Sequence, residues 1–330
     1  MSASAAPLAP HSCSVVLCAY TDRRWDDLSA AIMSLSQQPA ATQIVVAVDH
    51  NQALAARLRG AFPYITVVEN TNAPGLNHAR NAGVAASQGA IIAFIDDDAL
   101  PDADWVERML RPYQDASVIG VGGSIEPNWP ASRPDWFPPE FDWVVGCTYR
   151  GMPEQPTAVR NVIGCNMSFR REAFDLIGGF HFGRVGALAI GSENDETEFC
   201  IRLGNALPQA KIIYSPDIHV LHRVTPERLK LRYFVRRCFS EGISKSKLSR
   251  HVGQQKSLAS ERTYTMRTLP LGVVSGLSDA LRGRVHGLKR AAMIILGFGS
   301  TVAGFVYGRL RRSSPPMTTA PRPQMVHTDT

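Results

Sequence analysis

Three consecutive carboxylates, Asp96, Asp97 and Asp98, directly follow an apolar run at residues 91–95. The run holds five apolar residues, three of them β-branched, which predicts a short strand buried on both faces of a parallel sheet. Ligands of open α/β sheets bind at the carboxyl ends of strands, and adjacent carboxylates repel one another unless a cation neutralises them. The triplet therefore indicates a site for a divalent ion, Mg²⁺ or Mn²⁺, that is shared with substrate phosphates. The alternative is a solvated acidic turn that precedes a helix.

A second acidic run, at residues 193–198, contains four carboxylates, among them Asp195 and Glu196. A carboxylate beside a desolvated cleft can have a pKa near neutrality, which suits a general base. The same acids would also favour a helix amino terminus without any catalytic role. Farther along, the imidazole of His222 is a reasonable metal ligand, although a single histidine is more often structural.

The hydrophobic pattern predicts a scaffold that brings these groups to one edge of a sheet. Strands are predicted at residues 14–19, 44–48, 65–68 and 91–95. Helices are predicted at residues 25–36, 51–59, 77–86 and 105–113, the second of them capped by Asn51. This alternation predicts an α/β fold with a doubly wound, mainly parallel sheet flanked by helices.

Composition narrows the class of protein. With 330 residues, one enlarged α/β domain with appendages is expected rather than two full domains. The six cysteines are scattered, which favours reduced thiols in a cytosolic compartment over a disulfide framework or a zinc site. Residues 1–12 lack the basic start and apolar core of a secretory signal, so the catalytic part is expected to stay in the cytoplasm. Residues 1–12 and 313–330 are expected to be disordered.

Positive charge is concentrated in one segment. Residues 223–256 carry ten Lys or Arg against two Glu, a balance that attracts phosphates, anionic lipid headgroups or nucleic acid. The basic segment has a roughly helical apolar spacing and no recognisable nucleic-acid motif, so an anionic membrane surface is the expected partner and nucleic acid is not. A break at Glu241-Gly242 would allow Arg236, Arg237 or Lys245 to form a flap over a diphosphate.

The ordered set of motifs CAYTDRR, AVDHN, NAPGLNHARNAG, IDDDALPDADW, SFRREAFDLIGGF and ENDETEFCIRL resembles glycosyltransferase family 2, which has the GT-A fold. The resemblance covers residues 14–222. The later RCFSEGISKSKL is similar, less specifically, to a subgroup that acts on lipid-phosphate-linked sugars. The resemblance implies an inverting, metal-dependent glycosyltransferase. Such an enzyme would move a sugar from a nucleotide-diphosphate sugar, with UDP favoured, to a hydroxyl of a lipid-linked or cell-envelope glycan.

The resemblance also implies roles for individual residues. The donor-binding residues would be Ala19, Tyr20, Asp49, Gly75, Arg80, Asp96 and Asp97. Asp98 and His222 would hold the Mg²⁺ or Mn²⁺ ion. Alignment on the residues that follow places Glu196 at the general-base position, and a one-residue slip would place Asp195 there instead. Asn166 and Trp143 would line the acceptor side, although the Trp-rich stretch 127–156 is as well explained as a lid over the core.

The expected organisation follows from these assignments. Residues 13–125 form the nucleotide-sugar-binding half, 126–222 the acceptor-side half of the same domain, and 223–288 a basic helical extension. Residues 289–312 form an apolar, membrane-associated segment that either spans, re-enters or lies in the interface, with Gly304 and Gly308 offering a close-packing face. The expected location is the cytoplasmic face of the cell membrane.

Two other classes of function compete with glycosyl transfer. An Asp-dependent phosphotransferase or phosphohydrolase would use an Asp of the triplet as nucleophile, but Ala99-Leu100 stand where such enzymes want Thr or Val. A non-catalytic nucleotide-sugar-binding membrane module would not need the intact triplet together with a second acidic run.

Overall fold

A computed structural model describes residues 13–38, 42–181, 195–252 and 263–311. The expected disorder of 1–12 and 313–330, and residues 193 and 194 of the second acidic run, lie outside these ranges. The described residues form one sheet with the strand order β3-β2-β1-β4-β8-β6-β9-β5, and β7 pairs with β9. The strands are β1 (Cys13–Ala19), β2 (Thr42–Asp49), β3 (Thr66–Asn70), β4 (Ile91–Asp96), β5 (Ala99–Pro101), β6 (Val118–Asn128), β7 (Thr157–Val159), β8 (Asn166–Arg170) and β9 (Lys211–Arg223).

The first half of the sheet is parallel, as predicted. Strands β3, β2, β1 and β4 run side by side in one direction, and the aliphatic side chains of β1, β2 and β4 are buried on both faces. The register pairs Cys18 with Asp96 and Ala19 with Val48. The ends of three strands therefore meet at one edge of the sheet, directly before the acidic triplet.

The second half mixes strand directions. Strand β8 runs antiparallel to both β4 and β6, whereas β6 and β9 are parallel. The last part of β9 pairs with the short strand β5, so that His222 lies opposite Ala99. The backbone N–H of Arg223 donates to the Asp98 carbonyl at 2.9 Å. This pairing brings a histidine from far along the chain next to the triplet.

The described α-helices are α1 (Trp25–Ser36), α2 (Gln52–Ala61), α3 (Leu76–Ala86), α4 (Trp105–Leu110), α5 (Arg171–Ile177), α6 (Asp195–Ala206), α7 (Leu231–Val252), α8 (Leu269–Leu281) and α9 (His286–Leu310). The first agrees with the prediction, and Asn51 caps the second as expected, its side chain accepting from Leu54 N–H at 3.0 Å. Helix α4 is shorter than predicted because its continuation at Arg111–Gln114 is a 3-10 helix containing Pro112.

Helices α7, α8 and α9 pack together beyond the sheet, and α7 corrects one prediction. It is continuous from Leu231 to Val252, with no break at Glu241-Gly242. Gly242 instead allows close contact with α9, since a Cβ there would meet the Thr301 carbonyl oxygen. A Cβ at Gly304 would likewise meet the Phe239 backbone, which confirms the predicted close-packing face.

Candidate active site

The acidic triplet and His222 form one cluster at the carboxyl end of β4. Asp98 Oδ1 lies 3.2 Å from His222 Nε2, and both side chains are 3% exposed. On its other side, His222 Nδ1 lies 3.7 Å from Cys147 Sγ. The two side chains expected to hold a metal ion are thus adjacent.

Two arginines from distant segments of the chain lie beside Asp97 and Asp98. Arg24, in the turn after β1, donates to Asp97 Oδ1 at 2.7 Å and lies 3.1 Å from Asp98 Oδ2. Arg228, in the 3-10 helix Pro226–Leu229, lies 3.8 Å from Asp98 Oδ2 and donates to the Val145 carbonyl at 3.0 Å. The carboxylates therefore have positive neighbours without an ion.

Burial and these cations act in opposite directions on the pKa values of Asp97 and Asp98. Burial raises the pKa of Asp97 to about 7, against the opposing charge of Arg24. Burial also works to raise the pKa of Asp98, but its hydrogen bond to His222 and the charges of His222, Arg24 and Arg228 hold that pKa well below its usual value. At neutral pH, Asp98 is therefore fully ionised, whereas Asp97 is close to its pKa.

The donor atoms present fit a divalent ion. Within the described ranges, Asp97 Oδ2 and Asp98 Oδ2 are buried and accept no hydrogen bond. Asp98 Oδ2 has the charges of Arg24 and Arg228 beside it, at 3.1 and 3.8 Å, and both oxygens keep lone pairs that an ion can use. Asp96, Cys165 and His222 each offer a ligand atom, and these three atoms lie within 4.8 Å of one another. Carboxylate oxygens suit Mg²⁺ and Mn²⁺, and an imidazole suits a transition metal.

Asp49 organises the loop that precedes α3. Its carboxylate accepts from the Asn70 side-chain amide at 2.7 Å and from the Gly75 backbone N–H at 2.9 Å, and it lies 2.9 Å from His50 Nδ1. Gly75 has a φ of +152°, which a residue with a Cβ rarely adopts. Asp49 and Gly75, both expected to bind donor, are therefore joined by a hydrogen bond.

Tyr20 provides the exposed aromatic surface of this edge. Its side chain is 59% exposed, and the Arg24 guanidinium lies 6.0 Å from its ring centroid. Asn51 donates to the Tyr20 carbonyl at 3.3 Å. Ala19, the residue before it, is buried at the end of β1. A flat ring is thus available for stacking between the Asp49 loop and the triplet.

Arg80 is the buried link to the second acidic run. It lies on α3, and its Nη1 donates to Asp195 Oδ2 at 2.6 Å, with both side chains less than 10% exposed. Burial disfavours the charge of Arg80, but Asp195, Asp96 and Glu196 together raise its pKa above the ordinary value. Arg80 is among the residues expected to bind the donor, and in this structure its ion pair is with Asp195.

Glu196 differs from its neighbour. Burial raises the pKa of Glu196 well above the usual value, and the charge and hydrogen bond of Asp195 raise it further, while Arg80 opposes them. Asp195 is committed to an ion pair, whereas Glu196 is a half-buried carboxyl with a strongly raised pKa. That combination is typical of a general base.

The two expected acceptor-side residues have structural partners. Asn166 is fully buried, its amide donating to the Ser124 and Ile218 carbonyls at 2.9 and 2.8 Å and its oxygen accepting from Trp105 Nε1 at 3.0 Å. These bonds use its side chain to tie strands β6, β8 and β9 to α4, so the structure places it in the core instead of on a sugar-facing surface.

Trp143 faces the C-terminal helices. It lies in the 3-10 helix Pro139–Val145, and its Nε1 donates to the Tyr264 hydroxyl at 3.0 Å. The Arg237 guanidinium lies 5.7 Å from the Trp143 ring. Arg237 and Lys245, expected over a diphosphate, both pair with Glu241 along α7, at 3.1 and 3.3 Å.

Three site residues escape sequence reasoning. Arg24 and Arg228 contact the triplet, and Cys165 lies beside Asp96 and His222. The two arginines stand among many others in sequence, and the cysteine belongs to no pair. The one usable signal is position, since Arg24 lies five residues after the end of β1, which meets the same edge as the end of β4.

The chain matches known proteins in sequence and in fold. Residues 14–178 match the model of glycosyl transferase family 2. The glucosyl-dolichyl phosphate glucuronosyltransferase of Haloferax volcanii is 30% identical over 305 residues, which is 90% of this chain and 96% of the relative.

Two solved structures share the fold. The mannosyltransferase PcManGT from Pyrobaculum calidifontis, in complex with GDP-Man and Mn²⁺, has a TM-score of 0.55 at 17% identity and covers 88% of this chain and 86% of its own. GalNAc-T7 with UDP, GalNAc and Mn²⁺ has a TM-score of 0.50 at 15% identity, over 72% of this chain and 49% of its own. The GT-A expectation for the fold is confirmed. The chain belongs to glycosyl transferase family 2 and is a glycosyltransferase.

Proposed function

We propose that the protein is a metal-dependent, inverting glycosyltransferase that uses a nucleotide-diphosphate sugar, with UDP favoured, and a sugar hydroxyl on a lipid phosphate. The observation that carries the proposal is the cluster of Asp97, Asp98 and His222, in which two buried carboxylate oxygens accept no hydrogen bond from the described chain. These oxygens have lone pairs that suit a divalent cation in addition to the neighbouring arginines, and a diphosphate donor needs such a cation.

The donor would lie along the edge where β1, β2 and β4 end. Tyr20 offers an exposed ring for the nucleotide base. Asp49 already accepts from the Gly75 N–H and Asn70, so its carboxylate would hold the loop and take the base N–H with its remaining capacity. Asp96 and Asp97 would face the ribose and the donor sugar.

The metal would be held by Asp98 and His222. Bound there, it would neutralise the negative charge of the departing diphosphate. The nitrogen of His222 favours Mn²⁺ over Mg²⁺, since the harder ion prefers oxygen ligands alone. Arg24 and Arg228 already approach the same carboxylates and would contribute further positive charge.

Glu196 would act as the general base. In the transfer step, the acceptor oxygen forms a bond to the anomeric carbon as the bond from that carbon to the diphosphate oxygen breaks, with inversion. The acceptor proton goes to Glu196, and the electron pair leaves with the diphosphate. Asp195 would position Glu196 and raise its pKa, held in place by Arg80.

The acceptor class follows from the relative and from the location of the C-terminal helices. The sequence relative described above is named for glucosyl-dolichyl phosphate, and the match covers 90% of this chain and 96% of the relative. Helix α8 packs on the 3-10 helix Pro139–Val145, whose last carbonyl binds Arg228. A lipid-linked sugar at the cytoplasmic face of the membrane would thus reach the site from the side of these helices.

A transfer assay tests the proposal. The purified full chain is mixed with Mn²⁺, labelled UDP-sugars and polyprenyl phosphates that carry one hexose. We expect label from one UDP-sugar in the lipid extract, and no label with Glu196→Gln, while the exposed control Glu172→Gln stays active. Free sugar and UDP with no lipid-bound label for any acceptor would contradict the acceptor class.

A further inference from the structure

Helix α9 has two unlike faces. Its small-residue face holds Gly297, Gly304 and Gly308, all buried. A Cβ at Gly297 would lie 2.5 Å from the Phe141 ring, and one at Gly308 would lie 2.9 Å from Ser246. This face is therefore fixed against α7 and the core along most of the helix.

The opposite face is apolar and open. Six of its side chains are 42–78% exposed: Leu288, Ile295, Phe298, Val302, Val306 and Leu310. Their separations of three, four or seven residues place them on one stripe. Helix α8 extends the surface with Leu271, Val274, Leu277 and Leu281, which are 44–91% exposed. These ten side chains are called the apolar face below, and such an expanse is unusual on a soluble protein.

Positive charge borders the apolar face. Residues 263–311 hold seven Lys or Arg and a single acid, Asp279. That acid pairs with Arg290 and lies 3.4 Å from Arg284. The exposed basic residues lie at the turn between α8 and α9 and near the helix ends: Arg267, Arg282, Arg284, Lys289, Arg309 and Arg311. An apolar stripe with a cationic border complements an anionic lipid surface.

The packing of α9 argues against a span. By length and composition, α9 is the one described helix able to cross a membrane. Its small-residue face, however, lies on α7, which carries the ion pairs of Glu241 with Arg237 and Lys245. Arg250 of α7 donates to the Gly308 and Arg309 carbonyls at 2.6 and 2.8 Å. A spanning α9 would either lose these contacts or draw the charges of α7 into hydrocarbon, at high cost.

We propose that α8 and α9 form a hairpin that lies in the plane of an anionic membrane, with the apolar face among the acyl chains and the basic border at the headgroups. This inference concerns only the hairpin, and it holds whatever donor and acceptor the enzyme uses. Of the spanning, re-entrant and interfacial arrangements, the proposed one is the interfacial.

Vesicle flotation tests the partner. We expect the full chain to float with phosphatidylcholine vesicles that contain phosphatidylglycerol, and less with phosphatidylcholine alone. Val302→Glu, which places a charge at the middle of the apolar face, should weaken binding at least about tenfold. Met33→Glu changes an equally exposed apolar residue on α1 and should bind as the native chain does. Equal binding by both variants would overturn the proposal, as would a soluble dimer that Val302→Glu dissociates without any lipid binding.

Depth measurements test the orientation. Single cysteines at Leu288, Phe298 and Leu310 are labelled with a fluorophore and quenched by lipids brominated at known depths. The unsubstituted chain supplies the background, since its described cysteines are buried or partly buried. An in-plane helix places all three labels at one shallow depth, about 5–10 Å into the boundary. A label at Phe298 near the bilayer centre, with the other two at opposite surfaces, would show a span and contradict the proposal.

Discussion

The arginines beside Asp97 and Asp98 are partly exposed to solvent, whereas the arginine paired with Asp195 is buried. The side chains of Arg24 and Arg228 are 26% and 20% exposed, while that of Arg80 is 5% exposed. The first acidic group thus has partners that solvent, and therefore a small ion or a phosphate, can reach. The second has a fixed ion pair, which holds one acid charged and leaves its neighbour Glu196 with a raised pKa.

In the proposed function, the Asp97–Asp98 cluster and the Asp195–Glu196 cluster have different tasks, although both consist of carboxylates. Exchangeable cations suit a site that must bind and release a charged donor. A permanent cation suits a site whose task is to orient a base. The predictions below test the two halves of that contrast.

The largest expected effect is on the base. Glu196→Gln should lower turnover by about 10²–10⁴-fold, because the acceptor proton loses its receiver. Donor binding, measured by calorimetry, should stay unchanged. Near-native single-turnover rates in this variant would show that Glu196 is not the base and would leave Asp195 as the candidate in this run.

Breaking the permanent ion pair should cost stability. Arg80→Met leaves Asp195 as an unpaired buried charge, and the free energy of unfolding should fall by about 3–5 kcal/mol. The matched control is Arg59→Met, which removes a half-exposed arginine paired with Glu69. It should cost no more than about 1 kcal/mol. Similar denaturation midpoints for the two variants would show that the buried Arg80–Asp195 pair contributes no more to stability than an ion pair at the surface.

Removing an arginine beside the triplet should strengthen metal binding. Arg24→Met frees Asp97 and Asp98 from a competing charge, so Mn²⁺ alone should bind more tightly, by about tenfold. Arg23→Met, at the exposed neighbouring residue, is the control and should leave Mn²⁺ affinity as it is. Weaker Mn²⁺ binding in Arg24→Met would mean that Arg24 supports the ion instead of competing with it.

The smallest effect is a shift in pH dependence. A base must be deprotonated to accept a proton. As the pH is lowered, the raised pKa of Glu196 should therefore cause activity to fall at a higher pH than with an ordinary glutamate. Asp195→Asn removes a negative charge that raises the pKa of Glu196, while the Arg80 charge that lowers this pKa remains. The pKa of Glu196 should therefore fall. The acidic limb of kcat/KM should therefore move to lower pH, on the order of one unit. An unmoved limb would assign the titration to another group.

The parallel half of the sheet could be predicted because its signal is local. Uninterrupted aliphatic runs followed by acids identify strands and their carboxyl ends, and β1, β2 and β4 lie within a residue or two of the prediction. His222 could be proposed from motif order, and its pairing opposite Ala99 then brings it to Asp98.

The remainder depends on long-range packing. Asn166 is a polar residue in the core, and only the positions of Ser124 and Ile218 show why its amide is needed there. Gly242 suggests a helix break in isolation, yet it is required by the close approach of α9. Arg24, Arg228 and Cys165 approach the triplet from three different segments, and no local pattern distinguishes them from other residues of their type.

Calorimetric titration with UDP and with GDP, each with and without Mn²⁺, tests the central claim most directly. We predict that one nucleotide binds only when Mn²⁺ is present and that Asp98→Asn abolishes this binding while the variant stays folded by circular dichroism. Equal binding with and without Mn²⁺, or metal-dependent binding that survives Asp98→Asn, would contradict the donor site assigned to the end of β4.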